Sequence, residues 1–586
     1  MTKESKTGKA IDFDILWRIL KYLKPYKKWL VIAFITTVTL AAVSPIRPWL
    51  VQYVLDKIII PQQDVGLRFY ASLMVLLLAS ETILQYFDSY FSSLLGQHVI
   101  RDIRTQTYNK LSRLKLTYFD NTPIGMLVTR TISDTEAIAD VFSQGFLVIA
   151  GDILKLIVLI TVMTLTDWRL TLFSLSTIPI LIIATRIFQK GVKKTFQEAR
   201  KQVANLNSFT QEHIIGMSIV QIFNKENDEF KKFDAINKEH AKANIKSIWY
   251  YSVFFPIVEI LSSLSIGLIV WWGAGAVLRS EVSLGNLVAF IMYINMLFRP
   301  IRMMADRFNT LQMGIVSAER VFFLLDTAVE EENTGTIIND KLKGKIEFKN
   351  VWFAYKENNW VLKDVSFVIE TGETCAIVGH TGSGKSTIIG LINRFYDIQK
   401  GEILIDNIPI KNYDLQHLRS CIALVLQDVF LFSESIRNNL SLNKEYSEKE
   451  INEALENIGV MSFIEKLPNG IDYNVMERGS TLSLGQRQLL SFARAYLTNP
   501  SVLMLDEATS SIDSESEQLI QHATDTLTQN RTSIIVAHRI STIKKANKII
   551  VVNAGKIVEQ GNHLELINKN GYYKELLDAN YTFQNN

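Results

Sequence analysis

Two cysteines in 586 residues are too few for a disulfide framework, and both, Cys375 and Cys421, fall in the second half of the chain. With no paired spacing they read as reduced core thiols of a cytosolic domain, which excludes a disulfide-stapled extracellular scaffold. An excess of one charge is also missing. Sixty-two basic residues against 59 acidic ones leave +3, which gives no electrostatic case for a nucleic-acid partner. No cleaved leader is convincing, because the basic lead is long and further apolar runs follow it. What the chain does have is apolar residues, 48% of the total, with a mean hydropathy of +0.13. That is high for a soluble protein and low for one lying wholly in lipid. The length calls for at least two domains. The apolar excess lies in the first half, and charged residues gather in the second.

Six stretches, about 29–54, 67–93, 141–165, 168–188, 253–276 and 284–305, are long enough to cross a hydrocarbon core of about 30 Å. Trp29 near one end of the first and Trp49 and Tyr53 near the other are spaced for the two aromatic belts. Lys21, Lys24, Lys27 and Lys28 precede the first stretch. The long segments 94–140 and 189–252 are rich in Lys and Arg, whereas the connections near 56–66, 166–168 and 277–283 carry few. Both termini and the long segments are therefore expected in the cytoplasm. Residues 12–27 alternate apolar and basic groups, which suits a helix lying on the membrane surface. Few helix breaks occur in the long segments, so the membrane helices are expected to run about 30–40 Å further into the cytoplasm.

Charges inside the apolar stretches are costly and face a cavity or a partner by default. Glu81, Asp152, Glu259 and Arg299 fall at similar depth, and Lys155 lies one turn from Asp152. Two readings stand: these groups pair with one another, Lys155 with Asp152 among them, or they line a cavity for amphipathic, cationic molecules.

The domains are drawn as 1–325 (membrane, with two long intracellular extensions), 326–345 (a solvated linker with an acidic run at 330–332) and 346–580. The last alternates short β-branched strands with helical segments, an α/β pattern. Within it, Gly379-His380-Thr381-Gly382-Ser383-Gly384-Lys385-Ser386-Thr387 fits G-x-x-x-x-G-K-[ST] between an apolar strand and a helix. Backbone N–H groups of such a loop close round phosphate oxygens; Lys385 is expected on the β/γ-phosphates and Ser386 on Mg²⁺. Further on, Val502-Leu503-Met504-Leu505 ends in Asp506 and Glu507. Asp506 is placed to hold Mg²⁺, and Glu507 to polarise the attacking water.

Between loop and acidic strand lies Leu482-Ser483-Leu484-Gly485-Gln486. It resembles the signature of the ATP-binding cassette (ABC) family, usually Leu-Ser-Gly-Gly-Gln. The resemblance covers the whole chain, since the six stretches and the motif order match an ABC exporter half-transporter. It implies a six-helix exporter-type membrane domain followed by an α/β P-loop ATPase domain. It also implies roles for single residues. Tyr355 would stack on adenine, Gln427 would sense Mg²⁺ and nucleotide, His538 would contact the γ-phosphate, and Asp513 would lie on a loop crossing the dimer interface. Tyr118-Phe119-Asp120 with Gly125, Arg130 and Asp134 resembles the first intracellular turn of such exporters. Glu212, Gly216, Ile219, Phe223 and Glu226 resemble the second, and Glu477 and Gly479 the loop that touches those turns.

By the same resemblance two chains pair head to tail. ATP lies between residues 379–387 of one chain and Ser483, Gly485 and Gln486 of the other, so ATP closes the pair and hydrolysis releases it. The implied function is ATP-driven efflux of hydrophobic or amphipathic drugs or lipids across a bacterial cytoplasmic membrane. A lipid flippase and a peptide exporter remain open, the latter disfavoured by the lack of a peptidase-like extension, and an ATP-gated channel or regulatory subunit is the alternative of another class. Leu484 departs from the usual glycine, and Gln488-Leu489 from the usual Gln-Arg. Such departures accompany heterodimers, while Ser483 and Gly485 suffice for a homodimer; both partners remain open.

Overall fold

The computed structural model describes residues 13–62, 66–327, 333–339, 342–506, 514–537 and 539–584. They form two compact units, one of the described residues up to Ser112 with those of 124–327, the other of Arg113–Pro123 with the described residues from 333 onward.

The first unit is helical. Among the described residues six helical segments are long and apolar enough to cross a membrane: Lys24–Ile59, Leu67–Leu111, Ile124–Thr166, Trp168–Ile215, Glu226–Leu278 and Leu284–Leu325. They are called the first to sixth spans. Each contains one of the apolar stretches or most of it, and most run well beyond it. The 53 residues of the fifth span come to about 80 Å, against about 30 Å of hydrocarbon. The extra length is helix that leaves the bilayer, as the unbroken helix-forming composition predicts. The sixth span is central, with Phe290, Tyr293 and Phe298 fully buried.

Before the first span lies α1 (Phe13–Lys21), which buries Leu16 and Ile19 and exposes Phe13 and Trp17. Its Arg18 forks onto the Asp326 carboxylate at 2.6 and 2.7 Å and lies 4.1 Å above the Phe322 ring. A bidentate pair of this kind fixes direction as well as distance, so the start of the unit is tied to its end.

Three of the intramembrane charges pair, but not as sequence spacing suggests, while Lys155 and Arg299 make no ion pair or hydrogen bond among the described residues. Asp152 pairs with Arg307 of the sixth span and not with Lys155. Glu259 binds Arg302 at 2.9 Å and Glu81 lies 3.7 Å from Arg47. Local spacing identifies neighbours on one helix, whereas these partners come from packed neighbouring helices.

The second unit is α/β. Its strands are β1 (Ile346–Ala354), β2 (Trp360–Ile369), β3 (Thr374–Val378), β4 (Lys400–Ile405), β5 (Ile408–Pro409), β6 (Ile422–Val425), β7 (Val502–Asp506), β8 (Thr532–Val536), β9 (Lys548–Asn553) and β10 (Lys556–Gly561). One sheet has the order β2-β1-β4-β5 and is antiparallel; the other has the order β10-β9-β3-β8-β7-β6. In the second sheet β9, β3, β8, β7 and β6 run parallel, with Ile377 beside Val536, Asp506 beside Val536 and Val425 beside Leu505. Their β-branched, fully buried residues are what a sheet covered on both faces requires. Cys375 on β3 is wholly buried, and burial pushes its thiol pKa up. Cys421 is half-buried; both cysteines are free, as their spacing predicts.

Candidate nucleotide site

Parallel strands deliver their C-terminal ends to one edge, and in open α/β sheets that edge is where ligands bind. Here β3 runs into the loop 379–384, which opens α3 (Lys385–Ile392); α2 denotes the short helix Leu116–Asn121. Asp506 ends β7 at the same edge, and Gln427 stands exposed two residues past β6. The loop needs its glycines. Gly379 has φ +154°, and a Cβ there would lie 2.1 Å from the carbonyl oxygen of Val552. Gly384 has φ +107° and its Cβ would meet Leu362 at 2.7 Å. A side chain at either position would push the loop out of shape.

The loop's polar groups are only partly satisfied. The Lys385 ammonium is buried and donates to the carbonyls of Gly379 at 2.8 Å and His380 at 3.1 Å. Burial lowers its pKa, and Asp506 pulls in the opposite direction. The Ser383 hydroxyl is buried without a hydrogen-bond partner. His380, Thr381, Gly382 and Ser386 face outward, and Thr387 is buried. Backbone and side-chain donors so arranged at a helix N-terminus suit a polyanion, whose oxygens would satisfy them. The carboxylate of Asp506 near Lys385 and the outward hydroxyl of Ser386 are hard oxygen donors, the set that Mg²⁺ takes.

Tyr355 is half exposed beside the loop and its hydroxyl is 3.1 Å from Thr387 Oγ1. Gln399 braces its neighbour by hydrogen-bonding both the N–H and the carbonyl of Ala354, at 3.0 and 2.9 Å. The ring of Tyr396 meets Tyr355 edge-on, 5.1 Å between centroids, and its hydroxyl donates to Asp120 of α2 at 3.0 Å. Lys115 adds an ion pair to Asp397 at 2.6 Å. Sequence reading missed Tyr396, Asp397 and Gln399. The only available signal was the polar and aromatic run Arg394-Phe395-Tyr396-Asp397 that follows α3.

Ser483, Gly485 and Gln486 lie elsewhere in the unit, at the start of α4 (Leu484–Leu497). Ser483 accepts from the Gln486 N–H at 3.2 Å, and the Gln486 side chain accepts from the Ser483 N–H at 3.0 Å. This capping box explains the serine and the glutamine without any ligand. Leu484 is half-buried and Gly485 buried. Among the described residues no hydrogen bond or ion pair joins 483–486 to 379–387. Just before α4, Glu477–Gly479 form a tight turn in which Arg478 (φ 54°) and Gly479 (φ +68°) are left-handed. Glu507, Asp513 and His538 lie outside the described residues.

Comparison with known proteins places this arrangement. Residues 30–301 match the ABC transporter transmembrane region and residues 362–510 the ABC transporter family. The chain belongs to the ABC transporter family. It is 37% identical to an uncharacterized ABC transporter ATP-binding protein, YknV, of Bacillus subtilis, over 98% of this chain and 96% of that one. It is 38% identical to a probable multidrug resistance ABC transporter ATP-binding/permease protein, YheH, of the same organism, over 86% of this chain and 75% of that one. With an ATP-dependent lipid A-core flippase of Desulfotalea psychrophila it shares 34% identity over 96% of this chain and 99% of the other. The chain is thus an integral membrane half-transporter, with a membrane region and an ATP-binding domain fused in one polypeptide, and it couples ATP hydrolysis to transport.

Proposed function

We propose that the protein exports hydrophobic or amphipathic compounds, drugs or lipids, from the cytoplasmic membrane of a bacterium by alternating access. The observation that carries this reading is the shared edge of Lys385, Ser386, Gln427 and Asp506 in a chain that also holds six spans. ATP phosphates sit in 379–387 with the adenine against Tyr355, and Ser386, Asp506 and Gln427 are the residues that would hold Mg²⁺. That ion would neutralise charge on the phosphates. Glu507 orients the attacking water, and His538 contacts the γ-phosphate. Ser483, Gly485 and Gln486 complete the site of a second chain, a reading in keeping with their having no hydrogen bond or ion pair to the loop of their own chain among the described residues. Asp513 lies at that interface. A second observation supports pairing. The turn around Met217–Ile222 leaves Ile215, Ile219, Ile222 and Phe223 exposed on the first unit, an apolar tip suited to a partner. Both termini and the ATP-binding unit lie in the cytoplasm, as the lysine and arginine distribution favours.

The test is transport in reconstituted vesicles. Wild type should concentrate a lipid or drug probe only with ATP. Glu507→Gln should bind ATP, trap the closed pair and lose turnover by about 100-fold or more. Normal turnover in that variant, assayed as a homodimer, would refute the assignment of Glu507.

A further inference from the structure

The membrane unit bears a half-open cavity of about 550 Å³ between the fourth, fifth and sixth spans, and the basic side chains on its wall are exposed. One wall is unusual in charge. Arg186, Lys190, Lys193, Gln197 and Arg200 all line the cavity. Their steps of four, three, four and three residues place them on a single face of the helix Ile178–Ile215. Like charges at such spacings repel along a helix. Yet Arg186, Lys190 and Lys193 have no hydrogen-bond or ion-pair partner among the described residues, and Arg200 reaches only the sulfur of Met313 at 3.0 Å. The one carboxylate lining the cavity, Asp306, accepts from the Tyr251 hydroxyl at 3.1 Å, and the remaining cation, Arg320, is paired to Asp134 at 2.8 Å. The cavity is therefore cationic, with Phe188, Val192 and Val316 supplying apolar wall.

Its depth matters. Arg186 lies about 27 Å along the span from Trp168 at 1.5 Å per residue, at the far edge of a hydrocarbon layer about 30 Å thick. The cations thus begin where phospholipid head groups begin and continue outward from there. This is the reverse of a seat for cations, since four exposed basic residues face a single carboxylate, Asp306, on the lining.

We propose that this cavity seats an anionic amphiphile of the adjoining leaflet, its phosphate between Lys190 and Lys193 and the start of its acyl part against Phe188, at the edge of the hydrocarbon layer. Anionic lipid-like molecules are then the substrate class loaded by the exporter. That consequence rests on the export reading, whereas the binding does not and is measured without ATP.

The experiment is native mass spectrometry of the full-length protein released from detergent, titrated with phosphatidylglycerol or with phosphatidylcholine. Wild type should retain phosphatidylglycerol about tenfold more tightly, and Lys190→Gln/Lys193→Gln should remove most of that preference. Lys194→Gln/Lys201→Gln changes the same charge on the same helix away from the cavity and should keep the preference. Val316→Trp fills the cavity without touching charge and should weaken retention. Equal retention of the two lipids by wild type overturns the proposal. So does an equal loss in both lysine pairs, or an unaffected Val316→Trp, since either result means diffuse surface attraction. Loss of the dimer mass in Lys190→Gln/Lys193→Gln would assign the stripe to packing against a second copy and also overturn it. Absence of ATP hydrolysis by wild type would instead count against the export reading alone.

Discussion

The spans of the membrane unit and the phosphate loop of the ATP-binding unit use their polar groups differently. In the membrane unit three carboxylates of the spans are set against basic groups of neighbouring helices: Asp152 with Arg307, Glu259 with Arg302, Glu81 with Arg47. In the ATP-binding unit the loop is left short of partners. Ser383 has a buried hydroxyl with none, and the buried Lys385 ammonium holds only two carbonyls of its own loop. The first pattern spends its polar groups on assembling helices in a medium that offers no hydrogen bonds. The second keeps them for a ligand that arrives and leaves, and each unmet group there costs free energy until it does. Unmet polar groups occur in both units, among them Gln52, Thr177 and Asn286 in the first, so such a group marks a site only where, as in the loop 379–387, several converge on a ligand of matching charge.

That contrast can be broken at either end. The largest effect is expected from Lys385→Ala. Removing the ammonium takes away a charge aimed at the transferring phosphate, and ATP hydrolysis should fall by about 1000-fold, with little change in the thermal midpoint of the apo protein. A large loss of apo stability would mean that Lys385 belongs to the structural class after all. The complementary change is Arg307→Met. It strands Asp152, which is only 6% exposed, and breaking such a pair from one side costs about 3 kcal/mol or more. Thermal unfolding in detergent should register it, and Asp152→Asn/Arg307→Met should recover most of the loss. Equal damage in single and double variants would show that the pair is not the source.

Which parts could be read from the sequence follows from the range of each signal. The six spans are runs of neighbouring apolar residues, so composition alone locates them. The loop 379–387 and the Asp506 strand are contiguous too, and the parallel order of β3, β8, β7 and β6 brings them to one edge. Pairings between elements were not legible. Lys155 is the nearest opposite charge to Asp152 along its helix, but the partner is Arg307, from the far end of the unit's sequence. Tyr396 and Gln399 sit in no motif, and their positions beside Tyr355 and Ala354 depend on how the start of β4 pairs with β1. Glu507, Asp513 and His538 are legible as sequence only, since they lie outside the described residues.

A smaller effect probes the contact between α2 and the rest of its unit. Tyr396→Phe keeps the ring against Tyr355 and deletes the hydroxyl that donates to Asp120. One hydrogen bond at a partly exposed site is worth about 1 kcal/mol, so amide exchange of Leu116–Asn121 should speed up about fivefold, while the affinity for ATP stays within twofold. A large loss of ATP affinity would instead make Tyr396 part of the adenine seat.

The smallest expected effect is a titration at the edge of the ATP-binding unit. His563 Nδ1 lies 2.7 Å from the buried Tyr573 hydroxyl, and burial, with Lys544 adding to it, holds the imidazole pKa below its ordinary value of 6.5. The folded state therefore binds a proton there less readily than the unfolded chain does. Its contribution to stability is complete above about pH 6.5 and is lost as pH falls through the lower, folded value. His563 is partly exposed, so solvent screening reduces the effect. The thermal midpoint should drop by about 1 °C more in wild type than in His563→Gln between pH 7.5 and 5.5. A drop of the same size in both proteins would remove His563 from the acid response and leave it to other groups. A greater drop in the variant would mean that the protonated ring is the form the fold prefers, with the Tyr573 hydroxyl oxygen accepting from it.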